Sequence, residues 1–310
     1  MRFFPGTPDI PDELINDVTE GHAVFICGAG VSKRVGMPLF DALTYQIYSD
    51  IGETPKNEVA EEEALERREY DRALRSLERR TRLPKAPSRV RAATTKLLTP
   101  AAGLALPDHL SLLRLSRDAE GRVRLLTTNF DPLFECAAHA DGQMVPSHAG
   151  KAIPRPGTPE DYGILHLHGR IAYAPRNIPP SDLILTSADF GDAYLRDGWA
   201  SQYIEDRMRL NTLVLVGYAA EDAAMRLLLE TLDADRERFR DLKKIYAIER
   251  KTPISASIWN AKGIVPIEFA DYDQVYNTLG EWAKYATDPA AYSGARLKML
   301  LGAAPPAKAF

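Results

Sequence analysis

The chain has almost no cysteine, no long apolar run and no excess of positive charge, and each absence removes a class of protein. With only Cys27 and Cys136, there is neither a disulfide framework nor a set of thiolates for a structural zinc, so a reducing, cytoplasmic setting is expected. No stretch of about 18 apolar residues occurs, and Met1 to Asp17 lack a basic segment followed by an apolar core, so the expectation is a protein neither secreted nor membrane-spanning. A formal net charge of −4 argues against broad attachment to a phosphate backbone, and direct nucleic-acid binding is not expected. The most charged stretch, Glu61 to Arg82, mixes signs at helical spacing and reads as a solvated helix surface.

What is present is a rhythm of short apolar runs. Hydrophobic residues make up 45% of the chain and charged residues 26%, the balance of a globular protein. The runs are AVFICG (23–28), VRLLTTN (123–129), ILHLHG (164–169), LILTS (183–187), TLVLVGY (212–218), KIYAIE (244–249) and IVPIEF (264–269). Several are apolar on both faces and are separated by helix-length segments. This predicts an α/β fold with a doubly wound, mainly parallel sheet covered on both sides.

The rhythm breaks between Leu43 and Leu115, where helical spacing replaces strands and Pro84, Pro87, Pro100, Gly103 and Pro107 punctuate the segment. The expected organisation is a main sheet domain from 1–42 and 116–275, a helical insertion over 43–115 and a helical tail over 276–310. In that tail Leu279, Trp282, Leu297, Met299 and Leu300 are the expected packing or subunit-contact anchors. The Pro- and Gly-rich stretch Asp141 to Asp161 reads as a loop, and no internal repeat is evident.

The residue types that carry chemistry sit at strand ends. Gly28-Ala29-Gly30-Val31-Ser32 follows the first run, where glycines permit a tight turn and let backbone N–H groups approach a pyrophosphate. Lys33 occupies the place of the third glycine of the dehydrogenase fingerprint, and a bare turn explains the loop equally well. Asn129 and Asp131, in Thr127-Thr128-Asn129-Phe130-Asp131, are placed to face one pocket, while Asp131 before Pro132 also reads as a helix cap. Strand alternation puts His166 and His168 on one face, with Gly169 leaving His168 at the rim. No Cys, Asp or Glu completes a metal set there. Gly217-Tyr218 ends another run, followed by Ala219, Ala220 and the acidic pair Glu221-Asp222, where Asp222 suits a helix start or a ligand contact. Glu249 ends a further run and reads either as a ribose-binding carboxylate or as plain surface charge.

Taken together, these motifs resemble the sirtuin superfamily, in order: GAGVS (28–32), Gly36-Met37-Pro38, Thr128-Asn129-Phe130-Asp131, His168-Gly169 and Gly217-Tyr218. The resemblance implies a Rossmann-like NAD-binding domain. In it Gly28, Ala29, Gly30, Ser32, Pro38, Thr128, Asp131, Gly217, Tyr218 and Glu249 would bind NAD, and Asn129 and His168 would be catalytic. The sequence departs from the protein-deacylating members: the zinc-binding cysteines are missing, the Asp-Phe-Arg element reads Leu39-Phe40-Asp41, and the usual Gln is Thr128.

Without the zinc ribbon and with a helical insertion, the chain is similar to the bacterial sirtuin-like proteins of antiphage defence, which hydrolyse NAD. That implies an NAD glycohydrolase that takes NAD as substrate, uses no zinc and is held inactive until activated. Homo-oligomers are common in that branch, as is a helicase-like ATPase partner. This sequence has no Walker loop, so such an ATPase would be a separate chain. The competing readings are an NAD-dependent protein deacylase and a non-catalytic sensor of NAD or ADP-ribose.

Overall fold

The computed structural model describes residues 1–56, 60–218 and 242–302. Ala219, Ala220, Glu221 and Asp222 lie outside the described residues, as do the side chain of Leu300 and the Pro/Ala-rich end from 303 onward.

The seven strands are β1 (Ala23–Cys27), β2 (Arg124–Thr127), β3 (Ser147–Ala149), β4 (Gly163–His166), β5 (Thr212–Val216), β6 (Ile245–Arg250) and β7 (Val265–Phe269). They form one sheet in the order β3-β4-β2-β1-β5-β6-β7, every pair parallel. The expected doubly wound α/β sheet is therefore what the chain forms. β1 is buried along its whole length, and its side chains alternate between two layers: Phe25 and Cys27 enter one apolar cluster, Val24 and Ile26 the other. A strand walled on both faces has no room for a polar side, which is why its sequence is a continuous apolar run.

The first layer includes the helices Asp12–Thr19, Phe40–Asp50, Arg89–Leu98, Pro107–Leu115 and Tyr272–Thr287, and the second includes Trp199–Leu210 and Ser255–Ala261. Among the described residues between β1 and β2 there are helices and no strand. Leu74, Leu77, Val90 and Leu112 from that stretch share one buried cluster with Phe25 and Leu125 of the sheet. The helices between β1 and β2 thus pack into the same core as the strands.

Three local expectations are corrected. Leu183 to Ser187 is not a strand, because its backbone is bonded elsewhere: Asp189 accepts from the Leu185 and Thr186 N–H groups at 3.1 and 2.8 Å. The Leu183 carbonyl, meanwhile, accepts from Arg91 at 2.8 Å. The expected loop from Asp141 to Asp161 contains β3, a short edge strand whose Ser147–Ala149 register matches Ile164–His166. The charged stretch is not wholly solvated, since Glu61 is fully buried and accepts from Tyr48 Oη at 2.9 Å and Arg80 Nε at 2.8 Å. In the tail, Leu279 and Trp282 are packing residues as expected, with Trp282 edge-on to Phe25 at 5.9 Å between ring centres, whereas Leu297 and Met299 are exposed.

Candidate functional site

All strands run the same way, so their C-terminal ends lie along one edge, the place where open parallel sheets bind ligands. A cleft of about 510 Å³ opens there. Its wall includes Ala29, Gly30, Ser32, Pro38, Thr128, Asn129, Asp131, His168, Gly217 and Tyr218, ten residues singled out from sequence. Gly28 and Glu249 are not in that wall.

Gly28 is instead the floor on which the cleft residue Tyr218 rests. A Cβ at Gly28 would lie 2.4 Å from the Tyr218 ring. The two glycine turns after β1 and β5 dock on each other. Gly30 N–H donates to the Gly217 carbonyl at 2.9 Å, a Cβ on Gly30 would sit 2.7 Å from that oxygen, and Gly217 has φ +78°. Only glycine on both sides allows this approach, which places the adjoining backbones at the cleft wall. Tyr218 Oη then meets Thr128 Oγ1 at 2.8 Å, tying the ends of β5 and β2 together.

Glu249 is not among the residues that line the cleft. It is buried, its carboxylate accepts the indole N–H of Trp259, and its neighbour Ile248 is the β6 residue that reaches the cleft. Strand alternation sends adjacent side chains to opposite faces, so the two cannot share one destination.

The two histidines also part company. β4 ends at His166, so alternation does not extend to His168, and Gly169 turns the chain at φ +84°. His166 lies wholly inside, with Nδ1 at 2.8 Å from the Asn129 carbonyl and Nε2 at 2.9 Å from Glu135 Oε1. His168 lines the cleft, with Nε2 at 2.6 Å from Tyr194 Oη and its ring edge-on to Phe190 at 5.3 Å. Burial pushes the His168 imidazole down to about 3 and pushes the Tyr194 phenol up, so both are neutral near pH 7. A neutral imidazole donates once and accepts once. Tyr194 is the partner of Nε2 among the described residues, which leaves Nδ1 as the other ring nitrogen of this cleft residue. Tyr194 sits on a π-type turn, Gly191–Arg196, a local geometry that is frequent at functional sites.

Asn129 Nδ2 donates to Ser32 Oγ at 3.1 Å, and Ser32 Oγ lies 3.3 Å from His109 Nε2. Among the described residues, the buried Asn129 Oδ1 has no hydrogen-bond partner. Asp131 Oδ1 accepts from Leu133 N–H at 3.2 Å while also lining the cleft, so the capping and pocket readings both hold. Burial raises the Asp131 carboxyl to about 6, against the opposing pull of the Leu133 N–H and the Ser32 hydroxyl. Lys33, Arg34 and Arg68 supply cations to the wall, and Arg34 is already paired with Asp108 at 3.5 Å and Asp273 at 3.0 Å. Among the described residues, no group of three His, Cys, Asp or Glu side chains is placed to hold a metal ion.

Sequence reasoning missed His109, Tyr194 and Arg68. None stands in a motif. His109 comes from the helix Pro107–Leu115, Arg68 from the turn between the helices Glu61–Glu66 and Tyr70–Arg80, and Tyr194 from a segment with no strand or loop signature.

Residues 123–267 match the family model described as SIR2-like domain. That span holds Asn129, Asp131, His168 and Gly217. The chain is 41% identical over 284 residues to the uncharacterized protein y4cA of Sinorhizobium fredii, an alignment covering 87% of this chain but 23% of that protein. The chain thus spans about a quarter of its relative's length. Among solved structures, it is similar to a mutant Sir2 homologue in complex with ADP-ribose, with TM-score 0.42 and 14% identity, covering 91% of this chain and 98% of that one. It is also similar to a Sir2 homologue in complex with NAD, with TM-score 0.39 and 13% identity, covering 92% and 97%. Among the described residues, no helix is long and apolar enough to cross a membrane.

Proposed function

We propose that the chain is a sirtuin-like NAD glycohydrolase, which cleaves NAD with water to nicotinamide and ADP-ribose. The observation that carries this reading is the convergence of Asn129, His168 and the docked glycine turns on one cleft, with Asn129 Oδ1 buried and unpartnered among the described residues. The match of residues 123–267 to a SIR2-like domain supports it.

The residues suit the chemistry. As the C1′–N bond breaks, its electron pair goes to the pyridinium nitrogen and nicotinamide leaves neutral, so positive charge develops on the ribose. Asn129 Oδ1 is an acceptor fixed in a dry wall, able to hold the attacking water and face that charge. Water bonds to C1′ and its proton passes to His168 Nδ1. Water adding to an oxocarbenium-like carbon is strongly acidified, so a base pushed down to about 3 suffices, and it is unprotonated throughout the physiological range. The ionised Asp131 would face the ribose, and Lys33 and Arg68 would meet the diphosphate. The arginine of the family's Asp-Phe-Arg element is Asp41 here, so these cations would stand in for it.

On the resemblance to antiphage sirtuin-like proteins we further propose a homo-oligomer, latent until an infection signal or a separate ATPase chain activates it. The test is NAD consumption by the purified chain, alone and with candidate partners, following nicotinamide and ADP-ribose for wild type, Asn129→Ala and His168→Ala. Free ADP-ribose released without an acyl acceptor, and lost in both variants, supports hydrolysis. Release only with an acylated peptide makes it a deacylase, and tight NAD binding without turnover makes it a sensor.

A further inference from the structure

The helix Pro107–Leu115 brings a histidine to the back of the cleft that no motif of the sequence accounts for. His109 is fully buried, its ring lies edge-on to Phe134 with centres 4.9 Å apart, and Nε2 faces the Ser32 hydroxyl at 3.3 Å. Ser32 in turn receives the Asn129 amide at 3.1 Å. Two buried atoms along this line have no partner among the described residues, Asn129 Oδ1 at one end and His109 Nδ1 at the other.

We propose that His109 is a positioning residue, which fixes the Ser32 hydroxyl and through it presents the Asn129 carbonyl oxygen to the substrate. The kinetic part of this proposal rests on the NAD-cleaving reading above; the structural part does not. A serine hydroxyl has one proton and two lone pairs. The lone pairs can receive Asn129 Nδ2–H at 3.1 Å and His109 Nε2–H at 3.3 Å. With its N–H on Ser32, Asn129 leaves Oδ1 as the atom turned away from that hydroxyl. His109 can play this part because burial keeps it neutral, pushed down to about 4, with a single N–H to give. The apolar Phe134 beside it offers no competing partner.

A histidine that merely filled space would be replaceable by any residue of similar volume. A positioning histidine is replaceable only by a side chain that keeps a donor at Nε2, which glutamine does and leucine does not. The experiment compares wild type, His109→Leu, His109→Gln and Ser32→Ala as the full chain, with folding checked by thermal melting. NAD turnover is measured together with the side-chain amide resonance of Asn129 in 15N-labelled protein, assigned by its loss in Asn129→Ala.

His109→Leu is expected to lower kcat by about ten- to a hundredfold while KM stays within about twofold, and His109→Gln to restore most of the loss. The Asn129 amide resonance moves in His109→Leu and Ser32→Ala and returns near its wild-type position in His109→Gln. An unmoved amide resonance in folded His109→Leu overturns the proposal, as does unchanged kcat. If wild type consumes no NAD in any state, the glycohydrolase reading fails by itself, and the amide resonance alone decides whether His109 positions Asn129. If His109→Leu does not fold, the Gln variant and Ser32→Ala still read the link.

Discussion

His166 and His168 are two residues apart in one short sequence, yet they belong to different parts of the protein's economy. His166 has an oxygen acceptor at each ring nitrogen, the Asn129 carbonyl and Glu135, and no exposure. Around it Glu135 also accepts from Ser147 Oγ at 2.5 Å. Burial works to raise the Glu135 carboxyl, but His166 and Ser147 more than reverse this and hold it below the usual carboxylate range. His168 has one partner among the described residues, Tyr194, and one nitrogen left over at the wall of a cleft. A histidine whose valences are both used is part of the scaffold. One with a spare lone pair beside a cavity is equipped to handle a proton.

The comparison breaks most sharply at His168. Its replacement by alanine should reduce NAD turnover by about a hundred- to ten-thousandfold with little change in melting temperature, read by nicotinamide release. If His166→Ala gave that result with full stability, the two roles would be reversed. His166→Ala should instead unfold the scaffold, costing about 3 to 5 kcal/mol in urea denaturation, because Glu135 and the Asn129 carbonyl lose their buried partner. Tyr194→Phe tests what makes His168 different. It keeps the ring packing and removes the bond that selects the tautomer, and kcat should fall by about ten- to a hundredfold while KM for NAD holds. Loss of stability with unaltered kcat would make Tyr194 packing only.

The smallest effect is on pH. His168 and His109, pushed down to about 3 and about 4, stay neutral in the folded chain while the unfolded chain protonates them below about 6.5. Asp131, raised to about 6, acts in the opposite direction, since the folded state takes its proton first. Between pH 6 and 4 the unfolded state therefore binds two more protons at the histidines and one fewer at Asp131. Stability falls with falling pH by up to about 1.4 kcal/mol per unit from these three groups. Denaturant midpoints across that range check the sign, and a stability that rose on acidification would contradict it.

The sheet was legible because a parallel strand covered on both faces must be apolar throughout, as in Ala23–Cys27 and Thr212–Val216. β3 was not. Ser147-His148-Ala149 carries no apolar signal and is held at the edge by pairing with β4 and by polar contacts of Ser147 with Glu135 and Arg170. Leu183 to Ser187 misled in the opposite sense, since the carboxylate and guanidinium that take its backbone bonds, Asp189 and Arg91, lie outside the run. In the site, the strand-end residues Asn129 and His168 reached the cleft as expected. Glu249 did not, because a terminal carboxylate looks exposed until Trp259 closes over it. His109 and Tyr194 were invisible since each matters through one contact, to Ser32 across 77 residues and to His168 across 26.

The position of β1 at the centre of the sheet has a consequence for when the cleft comes into being. Phe25 pairs with Leu125 on one side and Val214 on the other, so the first strand made must wait for a neighbour encoded far downstream. On a ribosome adding about 5 to 20 residues per second, the interval between Gly30 and Gly217 is on the order of ten seconds or more. Long-range parallel pairing is slow even after that. Until the later glycine turn arrives, the earlier one faces nothing, and the wall that Tyr218 and Thr128 close does not exist. A chain still being synthesised, or cut short before β5, therefore carries Gly30, Asn129 and His168 without the wall that Gly217 and Tyr218 complete.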